Sequence, residues 1–124
     1  MRVVIIGAGE VGFHIAKSLS ELDYDIAVID TNPIKCQRAT EHLDVIVIKG
    51  NGSDATILKE ANVSEADYVF CMTNSDETNL IASMQSHTLG AKKIVARLRN
   101  TDYRSNGDGS ISPEKFGIDD IDQL

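Results

Sequence analysis

Gly7, Gly9 and Gly12 stand in the spacing G-x-G-x-x-G, directly after four apolar residues (Val3 to Ile6) and directly before a helix-like pattern. In that context three small residues can hold phosphate. The first permits a tight turn, the second lets a pyrophosphate approach the backbone, and the third lets the helix pack close to the strand. Free N–H groups and a partial charge of roughly +0.5 at the helix start stabilise the anion. An acidic residue, Asp30, lies 18 positions beyond Gly12, at the end of a second apolar run. Its carboxylate can accept hydrogen bonds from both hydroxyls of a ribose and would repel a 2′-phosphate, and no Arg immediately follows it. The expected ligand is therefore NAD(H), or an adenosine nucleotide with a free ribose, ahead of NADP(H). The competing readings are a bare strand-to-helix turn for the glycines and a helix cap for Asp30. If Asp30 takes the ribose, Asp30→Ala is expected to weaken binding by at least about tenfold while the apo melting temperature stays nearly unchanged.

These residues need a frame to bring them together. Residues 2–7, 25–30, 44–49, 67–72 and 93–99 are short, rich in Val and Ile and apolar on both faces, as strands of a parallel sheet buried on both sides should be. Between them Glu10–Leu22, Pro33–His42, Asp54–Ala61 and Asp76–Leu89 read as helices. Pro33 suits a first helical turn, Ser75 can cap the last helix and Gly90 can end it. The alternation predicts an α/β fold: a Rossmann-like, doubly wound parallel sheet with strand order 3-2-1-4-5. After Asn100 the pattern fades into a polar, acidic tail in which "FGIDDI" could form a sixth, marginal strand. Residues 1–103 are thus the expected nucleotide-binding domain, and 104–124 a loop with that strand or a linker.

In such a sheet ligands bind at the carboxyl ends of the strands, where strand order reverses. Every predicted strand end carries polar or glycine residues: the glycine turn, Asp30-Thr31-Asn32, Gly50-Asn51-Gly52-Ser53-Asp54, Thr73-Asn74-Ser75, and Arg97 with Arg99. The stretch from Gly50 borders the expected adenine pocket or is a plain turn capping the next helix through Ser53 or Asp54. The two arginines could meet phosphate oxygens or a partner's acids, or protect a solvated edge strand.

Composition narrows the function classes. The formal charge of −7 disfavours nonspecific binding to nucleic acid or anionic membrane. No apolar run approaches the roughly 20 residues of a membrane span. Glycines interrupt the N-terminal apolar run and no small-residue cleavage site follows, so a cytoplasmic location is expected. Cys36 and Cys71 form no C-x-x-C, the three histidines are scattered, and no metal site is expected. "NGDGSIS" (106–112) imitates the middle of a calcium loop, but Arg104 and Lys115 fall where the first and twelfth ligands belong, so it reads as a loop. Chemistry is not expected either. The residues four beyond Tyr24, Tyr68 and Tyr103 are Val28, Met72 and Gly107, so there is no Y-x-x-x-K, and no histidine directly follows a strand. Too few residues remain after five strands for a substrate domain. The alternative is the cofactor-binding half of a small oxidoreductase.

Four stretches together resemble the nucleotide-binding domain of TrkA-type potassium-uptake regulators, the KTN or RCK N-terminal domain. They are "IIGAGEVGFHIAKSL", "IAVIDTN", "VIKGNGSDATILKEANVSEADYVFCMTNSDETNLIA" and "IVARLRNTDY", spanning about residues 1–103. The resemblance implies a cytosolic regulatory domain that binds NAD(H) or ATP/ADP. It implies assembly as a homodimer or higher ring beneath a membrane potassium transporter or channel of Trk type, which nucleotide occupancy gates. By position, Gly7, Gly9, Glu10 and Val11 would contact phosphates and Asp30 the ribose. Asn51, Gly52 and Ser53 would border the adenine, Thr73 and Asn74 would line the remainder, and Arg97 would reach the phosphate or nicotinamide end. After Tyr103 this sequence departs from the family pattern of a crossover helix, a further strand and often a ligand-binding C-terminal domain.

Overall fold

The computed structural model describes residues 1–100 and the backbone of 120–122. Five strands alternate with four helices in the predicted order: β1 (Arg2–Ile6), α1 (Glu10–Ser20), β2 (Asp25–Asp30), α2 (Pro33–His42), β3 (Ile46–Lys49), α3 (Ala55–Glu60), β4 (Tyr68–Cys71), α4 (Asp76–Leu89) and β5 (Lys93–Arg97). A sixth strand, β6 (Asp120–Asp122), lies parallel to β5 with Val95 opposite Asp120 and Arg97 opposite Asp122. The sheet is parallel throughout, in the order β3-β2-β1-β4-β5-β6. The expected order of the first five strands is therefore found. The marginal strand sits at the end of "FGIDDI" and runs one residue past it, and the calcium-like stretch 106–112 lies outside the described residues.

β1 is central because both of its faces are apolar. Val3 and Ile5 pack with Ile26 and Val28 against Ala16, Ile15 and Leu19 of α1, and Leu43, just beyond α2, joins them. Val4 and Ile6 face the other way, into a larger core with Ile29, Val69, Cys71 and Ile94 closed by Leu58 of α3 and Leu80 and Ala82 of α4. These four of the five β1 side chains are at most 1% exposed. Burial of that kind contributes roughly 1.5–3 kcal/mol per side chain, which fixes the strand whose end carries the glycine turn.

Element bounds differ from expectation where the backbone has better partners. α1 stops at Ser20 instead of Leu22, and Asp23 turns the chain with φ 60°. β3 starts at Ile46, and β5 ends at Arg97, so Arg99 lies beyond the strand. A 3-10 turn over Val63–Glu65, entered through left-handed Asn62, has no counterpart in the sequence reading. Val63 anchors it, fully buried. No helix among the described residues is long and apolar enough to cross a membrane.

Candidate functional site

All five strands from β1 to β5 end on one rim, and a cleft of about 790 Å³ opens there, where β1 has β2 on one side and β4 on the other. That volume lies within the range of small-molecule sites. The glycine turn forms its floor. Gly7 adopts φ +102°, and a Cβ there would stand 2.8 Å from the Met72 carbonyl oxygen, so only glycine fits. A Cβ on Gly12 would collide with the Gly7 carbonyl oxygen, so Gly12 lets α1 seat against β1 and does not itself line the cleft. Gly9 differs: a Cβ there would project into the cleft, with nothing nearer than the Lys35 ammonium at 3.8 Å.

α1 begins at that turn without a side-chain cap. The other three helices are capped: Asn32 accepts from the Ile34 and Lys35 N–H groups, Asp54 from Thr56, and Ser75 from Thr78. Such a cap is worth about 1 kcal/mol. The first N–H groups of α1 therefore face the cleft with their hydrogen-bonding capacity unspent.

Asp30 closes the second wall. Its Oδ2 accepts the Ala8 N–H at 2.7 Å and its Oδ1 accepts the Asn32 N–H at 2.8 Å. Asn32, not Asp30, caps α2, so the competing helix-cap role is filled by another residue. A carboxylate offers about four acceptor positions, so each oxygen keeps capacity toward the cleft while its direction is fixed.

The third wall rests on Asn79, fully buried at 0% exposure. Its Oδ1 accepts the Thr73 N–H at 2.9 Å and the Thr73 hydroxyl at 2.7 Å. Its Nδ2 donates to the Thr73 carbonyl at 3.1 Å and the Arg97 carbonyl at 2.7 Å. Every donor and acceptor of the amide is used, and the ends of β4 and β5 are locked together. Asp76 continues the clamp by accepting the Arg99 and Asn100 N–H groups at 2.9 and 2.7 Å.

Of the residues picked out by sequence, Gly7, Gly9, Glu10, Val11, Asp30, Thr31, Asn51, Gly52, Thr73, Asn74 and Arg97 line this one cleft. Ser53 does not line it; its N–H and hydroxyl both bond Asn51 Oδ1, at 2.9 and 2.8 Å. Sequence reasoning missed Lys35 and Arg38, which line the cleft from α2, and the clamp residue Asn79. Helical spacing could have found the first two, three positions apart on the helix that follows Asp30. Arg38 is already engaged, its guanidinium 3.8 Å above the Phe13 ring and 3.8 Å from a Glu10 oxygen.

Neither thiol lines the cleft. Burial pushes the Cys71 thiol up to about 12, opposed by a hydrogen bond with Ser83. Cys36 is raised by burial and by the Asp30 charge, and its Sγ donates to the Asp30 carbonyl at 3.3 Å.

The family model described as the TrkA-N domain matches residues 3–121. The chain belongs to the TrkA-N family. This TrkA-N domain is 39% identical over 103 residues to a Trk system potassium uptake protein TrkA homolog of Archaeoglobus fulgidus, covering 83% of this chain and 23% of that one. Among solved structures, the TrkA-N domain of the inner membrane protein ybaL from Escherichia coli superposes with a TM-score of 0.84 at 17% identity, over 98% of this chain and 85% of that one. A GsuK channel bound to NAD gives 0.79 at 17% identity, over 97% of this chain and 21% of that one. The chain spans between 23% and 60% of the length of the curated relatives it matches.

Proposed function

We propose that this TrkA-N domain is a cytoplasmic regulatory module that binds NAD(H), or alternatively ATP or ADP, and gates a membrane potassium transporter or channel of Trk type. The carrying observation is the pairing of an uncapped α1 N-terminus with the Asp30 carboxylate across one cleft. The residues fit the ligand. The open Gly9 position and unspent N–H groups suit a diphosphate, and the spare acceptor capacity of Asp30 suits two ribose hydroxyls. In this reading Asn51 and Gly52 border the adenine, and Thr73, Asn74 and Arg97 take the distal part of the ligand; what supports it is that all five line the same cleft. Arg38 could have favoured a 2′-phosphate, but its charge is directed to Glu10 and Phe13, which keeps NAD(H) ahead of NADP(H).

Names of relatives support the partner: the matched proteins of Archaeoglobus and Haemophilus influenzae are named for Trk potassium uptake. In this reading the domain works as a homodimer or a larger ring held at the membrane by its partner. A ligand shifts such an assembly only through its different affinity for the two gating states. Catalysis has no place in the scheme.

Titration calorimetry of the protein with NADH, ATP and ADP tests binding, and nucleotide-dependent potassium flux in vesicles carrying the full-length protein and its transporter tests gating. Saturable binding with a flux response is expected. Turnover of a carbonyl substrate with NADH would contradict the reading in favour of an oxidoreductase cofactor domain.

A further inference from the structure

The cleft is positive in an acidic molecule. Among the described residues it is lined by three cations, Lys35, Arg38 and Arg97, against two carboxylates, Glu10 and Asp30, while the whole chain carries −7. Arg38 is shared between Glu10 and the Phe13 ring. Arg97 has its Nε buried without a hydrogen-bond partner, and its backbone carbonyl is held by Asn79. Lys35 differs from Arg38 in making no ion pair among the described residues, and from both arginines in where its charge lies. Half-buried in the first turn of α2, it carries its ammonium to 3.8 Å from where a Gly9 Cβ would stand, with no other side chain within 4 Å of that point.

We infer that Lys35 is a phosphate-binding residue of this cleft and sets its preference for ligands carrying a diphosphate over those carrying one phosphate or none. The inference rests on the nucleotide reading above and adds a residue and a selectivity to it. Backbone N–H groups at a helix start attract any anion through partial charges. A whole ammonium above the second glycine adds a term that grows with the charge of the ligand. Its backbone is anchored beside Asp30: Asn32 accepts the Lys35 backbone N–H at 3.2 Å, and the Asn32 N–H is in turn bonded to Asp30. The residue that orients the ribose and the one that meets the phosphates are thus fixed by one turn of chain.

The test compares wild type, Lys35→Ala and Lys35→Arg in calorimetric titrations with adenosine, AMP, ADP and NADH, each at two salt concentrations. Lys35→Ala is expected to lose about tenfold in affinity for ADP and NADH, a smaller factor for AMP and less than about twofold for adenosine. The variant's ADP affinity should also depend less steeply on salt, because one screened charge pair is gone. Lys35→Arg should restore most of the loss. Equal losses across the series, or none, would overturn the role of Lys35 and leave the nucleotide reading standing. A wild type that binds no member of the series would overturn both.

Discussion

The Asp30 carboxylate and the Ala8 amide are joined by a 2.7 Å hydrogen bond that spans 22 positions of sequence and ties the end of β2 to the glycine turn. Asp30 is therefore both a ligand group and a part of the scaffold, since the same carboxylate also holds the Asn32 N–H. This changes the expectation from sequence that Asp30→Ala spares the apo protein. Leaving a partly buried amide unpaired costs about 1–3 kcal/mol, so the apo melting temperature should fall by about 4 °C or more, read by calorimetry. Nucleotide affinity should fall by at least about tenfold in the same variant. Unchanged affinity would remove Asp30 from the site.

Gly9 and Gly12 separate binding from folding. A Cβ on Gly12 meets the Gly7 carbonyl, so Gly12→Ala must push α1 off β1 and should cost about 1–3 kcal/mol or more in thermal unfolding. A Cβ on Gly9 enters the cleft, so Gly9→Ala should melt within about 2 °C of wild type yet bind NADH at least about tenfold more weakly. A Gly9→Ala protein that binds normally would mean the phosphates lie elsewhere.

Asn79→Asp tests the clamp. The new carboxylate would set an oxygen against the Thr73 and Arg97 carbonyls, where the amide now donates to both. Burial and those two oxygens would hold the new acid protonated to a higher pH than in the unfolded chain, where it ionises near 3.9. The folded state then binds the extra proton, and stability falls as pH rises through that window. The deficit in melting temperature relative to wild type should be smaller at pH 5 than at pH 8. A deficit independent of pH would contradict the hydrogen-bond assignment.

Both thiols should be inert in the native protein. Cys71 is fully buried with its ionisation raised from 9.0 to about 12, and Cys36 is shifted in the same direction. Iodoacetamide at pH 8 should label neither before unfolding, as read by mass spectrometry. The Cys71 thiol contributes its full share of stability below pH 9.0 and loses it as pH rises from there toward about 12. Cys71→Ala should therefore flatten the alkaline decline in melting temperature over that range. Rapid native labelling would contradict the packing around Ser83.

Much of this was legible because the relevant signals are local. The glycine spacing dictates its own turn, and Val3 to Ile6 announce a strand buried on both faces. Asp30 stands out as an acid ending an apolar run. What escaped depends on contacts between distant segments. Asn79 looks like any polar residue in a helix until β4 and β5 are seen to end beside it, 6 and 18 positions away. Lys35 looks like a solvated helix charge until α2 is folded back over Gly9. Ser53, chosen for its place in a Gly-rich link, turns inward to Asn51 because an Asx-type turn satisfies it locally. β6 was faint because Asp120-Ile121-Asp122 carries one apolar residue between two charges, too short a pattern to count.

A crystal structure of the protein grown with NADH locates the ligand outright. The diphosphate is expected on the Gly9, Glu10 and Val11 N–H groups, with both adenosine ribose hydroxyls on the Asp30 carboxylate. Density for the ligand anywhere else, or a cleft without ligand at saturating NADH, would contradict it.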